Sequence, residues 1–296
     1  MPSQLSPPQS FTTLPYSTTP VADIVAAFDR DGAVILSDFT SPETISTLNK
    51  ELGLSSSASP SAVTALASKS PTFVYDFLKS PKLLQFLDAK LQKTTRIWHG
   101  EERLSNTSRP QLSATVVFDS APGSQAEPLH RHDDIYFAEH PLSQPVEIWA
   151  LWSGSPGGNT TENGCVEGII GSHTWGEDWD PAGHVLASTE MKTGSCLLLH
   201  GSLVHRGGAN QSGVLRRSIG ASWTQGHLRQ EENQYLNISK ERAMSLDEPT
   251  QRLIGYKINA PMGGWYELRD PITYLARPDD KIDTVQREFR DEDVVG

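Results

Sequence analysis

The chain has 296 residues and a formal net charge of −11. That length allows one large domain or two small ones and a sizeable buried core. Its negative charge argues against a nucleic-acid or anionic-membrane partner. No apolar run approaches the roughly 18 residues needed to span a bilayer, and two cysteines, Cys165 and Cys196, provide neither a disulfide framework nor a thiolate metal site. A reducing, cytoplasmic setting is expected.

Residues 1–20 are rich in Ser, Thr and Pro and lack a basic segment followed by an apolar one. They read as a disordered lead-in rather than a secretory signal, with a single domain over 21–296. Val21, Ile24, Val25 and Phe28 recur at helical spacing up to Asp31-Gly32, and a strand is expected over 33–39. Ser41-Pro42 reads as the start of a helix that ends near Gly53. Residues 55–70 are small and polar, a loop around a short helix. Phe77, Leu78, Leu84, Phe86, Leu87 and Leu91 predict a helical region broken near Pro81.

From Gln111 the pattern becomes strands separated by Gly and Pro turns. Strands are expected over 112–119, 146–153, 165–170, 195–200 and 215–223. Helix returns over 239–256, with an interruption at Pro249. Helices outside and strands in the centre predict a mainly β protein with flanking α, a sandwich or barrel.

Two stretches carry the chemistry. Leu129-His130-Arg131-His132-Asp133-Asp134 sets a histidine and a carboxylate at i and i+2, and His205 follows in Val204-His205-Arg206-Gly207-Gly208. A strand projects i and i+2 to one side. His132, Asp134 and His205 would then form a 2-His-1-carboxylate iron site with an open face. Leu215, Arg217, Ile219 and Ala221 alternate against Arg216, Ser218, Gly220 and Ser222. An inward Arg216 needs an anionic partner, which a dicarboxylate ligand supplies through a bidentate fork. The plainer alternative puts Arg217 inward and Arg216 at the surface. Trp149 and Trp152 fall on opposite faces of one strand, so one is assigned to the core and the other to a pocket wall. His200 is expected to cap a strand and His173 to order a turn.

These segments, with residues 30–35, 113–118, 123–131, 162–165 and 170–175, resemble the phytanoyl-CoA dioxygenase family of Fe(II)/2-oxoglutarate oxygenases, in particular its fungal secondary-metabolism branch. The resemblance implies a double-stranded β-helix (jelly-roll) core, Fe(II), 2-oxoglutarate and a dimer. It also exposes departures. Aligned without a gap, His130 takes the family's histidine position and His132 stands where a carboxylate belongs. Glu127 replaces a glutamine that contacts 2-oxoglutarate, Val166 stands near a 2-oxoglutarate-binding threonine, and Arg206 replaces a small residue.

Two ligand sets follow: His132, Asp134 and His205, or His130, His132 and His205. All three of His130, His132 and Asp134 share strand parity, so parity cannot separate the sets. Charge favours the first, because Asp134 would partly neutralise Fe(II). The implied activity is oxidation of an apolar polycyclic natural product by hydroxylation, desaturation or rearrangement. The alternative is a degraded-site subunit that supports an active paralogous oxygenase in a heterodimer. A weaker third option is a metal-independent isomerase or cyclase that keeps the barrel as a pocket.

Overall fold

Period-2 alternation builds the centre of the molecule. A computed structural model describes residues 10–55, 57, 62–180 and 182–275. Among these, twelve strands form: β1 (Thr13–Pro15), β2 (Ala33–Ser37), β3 (Val63–Thr64), β4 (Lys93–His99), β5 (Glu102–Ser108), β6 (Gln111–Ser120), β7 (Glu147–Ser153), β8 (Val166–Gly168), β9 (Ala187–Ser188), β10 (Cys196–His200), β11 (His205–Gly207) and β12 (Arg216–Thr224). The large sheet runs β1-β2-β10-β7-β12-β6-β3, and the small one β11-β8-β9. Pairing within both is antiparallel except for β1 with β2.

Every residue of β7 and β12 is buried, because both strands are covered on two sides. Ala33, Ile35, Trp149, Leu151, Leu197 and Leu199 share one apolar cluster with Val166 and Ala187 of the small sheet. Val34, Leu36, Ile148, Ala150, Trp152 and Leu198 join the opposite cluster with Ile24, Phe28, Phe77 and Phe86 of the helical layer. Two facing sheets with helices on the outer side make the expected jelly-roll core. No helix among the described residues is long and apolar enough to cross a membrane.

Local signals set most helix ends. Ser41 accepts from the Thr44 N–H and opens the helix Pro42–Glu51. Gly32, at φ +81°, closes the helix Val21–Asp31 with its N–H on the Phe28 carbonyl. A Cβ at Gly32 would meet His173 Nδ1 at 2.5 Å, so the close approach also requires glycine.

Four features differ from the sequence reading. Thr13–Pro15 pairs with β2 and Phe11 is 3% exposed, so the lead-in gives way to ordered chain by residue 11; residues 1–9 lie outside the described residues. The helical break expected near Pro81 is present, with Pro81 opening the next helix, but the segment ahead of it, Phe73–Leu78, is π-helical. The helical break near Pro249 falls earlier, between Met244 and Glu248, because proline suits a first helical turn and Asp247 caps it. The hairpin β4–β5 was not anticipated. Its strands are mostly exposed and polar, without the apolar alternation that marks a strand in sequence.

Candidate active site

His130 and His205 face each other as a hydrogen-bonded antiparallel pair. The His130 N–H donates to the His205 carbonyl at 3.0 Å, and the reverse bond is 3.1 Å. Directly opposed residues of such a pair project to the same side, so their rings meet with centroids 4.7 Å apart. Each Nδ1 lies against a backbone carbonyl two residues earlier, His130 on Pro128 at 2.9 Å and His205 on Leu203 at 2.7 Å. Donation from Nδ1 leaves Nε2 of both rings free to ligate, the usual arrangement behind a metal-binding imidazole.

His132 brings the third ring, 4.9 Å from His205 and 5.3 Å from His130. One ligand atom from each of the three lies within 4.8 Å of the others. Burial pushes His205 down to about 4 and holds His132 well below the ordinary histidine range, with His205 and His130 adding to the effect on His132. Burial thus keeps these imidazoles neutral, the form that binds metal. Nitrogen donors of this type suit iron.

Asp134 goes elsewhere. The extended run that would keep i and i+2 on one side stops at His132 (φ −79°, ψ −34°), and residues Asp133–Tyr136 form a 3-10 turn. The exposed Asp134 therefore falls in a different group, with Asp133 and His140. Strand parity does not extend to Asp134, and the structure brings His130, His132 and His205 together.

Arg216 starts β12 on the same sheet face as Ser218, Gly220 and Ser222, opposite Trp149 and Leu151 of β7. It is 7% exposed, and it lines a cavity of about 300 Å³ with Phe118, Ser120, Gln125, Glu127 and Gly207. Its Nη1 donates to Ser218 Oγ at 3.0 Å, while its buried Nε has no partner among the described residues. Desolvation lowers its pKa, with Cys165, Glu127 and Asp119 acting against that. Arg217 occupies the other face. It forks onto Asp119, its cross-strand neighbour, with two bonds of 2.7 Å. The inward guanidinium is thus that of Arg216, which has no ion pair among the described residues, and it fits an incoming carboxylate.

Glu127 sits in the same cavity, where its Oε2 accepts from the Gly207 N–H at 3.0 Å. Val166 lies opposite Gly207 in β8 and offers the cavity region no polar group. Arg206 is engaged by Glu167 at 2.9 Å.

Trp149 packs its ring 5.0 Å from that of His132, whereas Trp152 is wholly in the helical core. His200 ends β10, accepts from the Ser202 N–H and stacks on Phe28. His173 lies in a 3-10 turn and meets the Asp29 carbonyl. Sequence reasoning placed Ser218 on the same face as Arg216 but assigned it no role. It missed Asp133, whose burial nothing in the motif announces.

The description Phytanoyl-CoA dioxygenase (PhyH) matches residues 28–218. Dioxygenase swnH1 of Metarhizium robertsii is 30% identical over 91% of this chain and 93% of its own length. Dioxygenase peniF of Penicillium patulum is 26% identical over 88% and 91%. Among solved structures, the non-heme alpha ketoglutarate dependent epimerase SnoN from nogalamycin biosynthesis shares the fold at a TM-score of 0.51. It is 16% identical, with 70% of this chain and 83% of that chain covered. The match over most of the β core, together with the trio of imidazoles and the inward-facing Arg216, makes this chain a member of the phytanoyl-CoA dioxygenase family, a non-haem iron dioxygenase whose cofactors are Fe(II) and 2-oxoglutarate.

Proposed function

We propose that His130, His132 and His205 hold Fe(II), that Arg216 receives the far carboxylate of 2-oxoglutarate, and that the enzyme oxidises an apolar polycyclic natural product of fungal secondary metabolism. The convergence of three ligand atoms within 4.8 Å carries the reading. When bound, Fe(II) and 2-oxoglutarate would activate dioxygen, the four-electron oxidant, with two electrons coming from 2-oxoglutarate as it leaves as succinate and carbon dioxide and two from the substrate. The residues supply placement. His130 and His205 present Nε2 because backbone carbonyls hold Nδ1, and Arg216 orients the co-substrate through a charge-assisted contact that Ser218 helps to aim. Trp149, with Phe118 against it at 5.7 Å, gives the substrate side an apolar wall that keeps water away from the reacting centre.

Three neutral imidazoles leave the iron's two positive charges uncompensated, so this site favours anionic co-substrate more strongly than a site with a carboxylate ligand. Glu127 opposes that preference. The non-catalytic subunit reading draws on Glu127 and Val166, while the intact trio and the unpartnered Arg216 Nε support catalysis.

The test is an anaerobic titration of Fe(II)-loaded protein with 2-oxoglutarate, following the visible charge-transfer band. A saturable band is expected. Iron retained without a band would overturn the Arg216 assignment. Protein that takes up no iron would overturn the trio and turn attention to a paralogous partner chain.

A further inference from the structure

A second polar cluster lies directly behind His132. Asp133 is 0% exposed; its Oδ2 accepts from Ser202 Oγ, and its Oδ1 meets His140 Nε2 at 3.0 Å. The other ring nitrogen of His140 meets Glu177 Oε1 at 2.8 Å, and the His140 backbone N–H donates to that same oxygen. The two ring contacts and the backbone N–H tie Asp133, His140 and Glu177 into one continuous chain. Because Asp133 and His140 are bonded to each other, the group reads as a network rather than a second ion site.

The network joins the segments that carry the site. Gly201, just ahead of Ser202 on the way to His205, accepts on its carbonyl from the His132 N–H at 2.9 Å and from the Asp133 N–H at 3.3 Å. A Cβ at Gly201 would lie 3.0 Å from the Asp133 Cβ, so the two turns are in direct contact. On the other side of His132, Arg131 donates to the Trp175 and Gly176 carbonyls, next to Glu177. The three ligands also differ in how they are held. His130 and His205 are locked through Nδ1 by backbone carbonyls, whereas the ring of His132 has no hydrogen-bond partner among the described residues and stands against the rings of Trp149, His130 and His205.

We propose that Asp133, with His140 and Glu177, forms the positioning network that aims His132 into the metal site. It does through the neighbouring residue what a carbonyl does directly for the other two histidines. The proposal rests on His132 being a ligand, and the experiment separates the two claims. Full-length protein is titrated with Co(II) under argon, reading affinity and the visible d–d spectrum, alongside a thermal melt of each variant. His132→Ala tests the ligand itself. Asp133→Asn and Glu177→Ala test the network, and Glu177→Gln, which retains an acceptor oxygen, is the rescue. Glu177 has a side chain 58% exposed, so its variants are expected to fold even if Asp133→Asn does not.

Wild type is expected to bind Co(II) saturably and His132→Ala to lose that binding. Asp133→Asn should weaken it about 10- to 100-fold, as loss of an outer-shell partner does. Glu177→Ala should weaken it about threefold or more and shift the d–d band at an unchanged melting temperature, and Glu177→Gln should restore both. Wild-type affinity and spectrum in Glu177→Ala would overturn the positioning role and leave the trio standing. Saturable, wild-type-like binding by His132→Ala, or none by wild type, would overturn the ligand reading and the proposal with it.

Discussion

Arg216 and Glu127 share one cavity, and in the proposed site they would act on 2-oxoglutarate in opposite directions. Arg216 bears a buried charge whose Nε is unsatisfied, a costly state that an incoming carboxylate relieves. Replacing it with methionine should weaken 2-oxoglutarate binding about 10- to 100-fold in the charge-transfer titration, given about 1.5–3 kcal/mol for a hydrogen bond to a charged group. Iron uptake by Arg216→Met should be unchanged, because the guanidinium lies outside the trio. Glu127 holds its side chain against the Gly207 N–H in the cavity proposed to receive the co-substrate's carboxylate. Glu127→Gln removes the like charge, and the same titration should show binding about two- to fivefold tighter. Weaker binding in Glu127→Gln would mean that the carboxylate aids the site.

At the scale of elements, β7 divides stability from chemistry by facing two ways. Trp149 turns toward His132, while Trp152 turns to the helical layer and meets Phe77 edge-on at 5.1 Å, Phe39 at 5.6 Å and Phe73 at 6.2 Å. Trp152 is 0% exposed, so Trp152→Ala should cost about 3–5 kcal/mol in denaturant unfolding. At a temperature where it remains folded, its charge-transfer titration should match the wild type. A change there would show that the helical layer, not just the sheet, sets the iron geometry.

For the whole molecule, a buried carboxyl governs the pH response near neutrality. Glu147 is 0% exposed, neither of its oxygens has a formed hydrogen bond among the described residues, and burial followed by the charge of Glu231 raises it to about 8. Unfolded, it titrates near 4.5. Between those values the native state holds a proton that the unfolded state has released, so stability falls as pH rises toward 8. The buried histidines act in the other direction and below about 6.5, where His200, held well under its ordinary value, makes stability fall with acid. From pH 6.5 to 8 the melting temperature of the apoprotein should therefore drop by about 2–4 °C per unit. Glu147→Gln should flatten that slope. A slope unchanged in the variant would assign it to another group.

Much of this was legible along the chain. Apolar runs between Gly and Pro turns marked β6, β7, β10 and β12, and the capping residues Ser41 and Gly32 marked helix ends, because these signals are local and each residue carries its own. Parity also set Arg216 against Arg217 and Trp149 against Trp152, while leaving open which of each pair faces the site. Two things were not legible. The hairpin β4–β5 lacks an apolar face, and its strands hold together by backbone pairing that composition does not announce. The identity of the metal ligands could not be read either, because His130, His132 and Asp134 share one parity for as long as the strand continues. Where the strand ends is a tertiary matter: Gly201 accepts from the backbones of His132 and Asp133, the chain enters a 3-10 turn, and Asp134 rotates to the surface while Asp133 goes inside. The residue types and their spacing specify an iron-binding jelly roll, whereas the contact with a loop distant in sequence selects which of three equally spaced side chains meet His205.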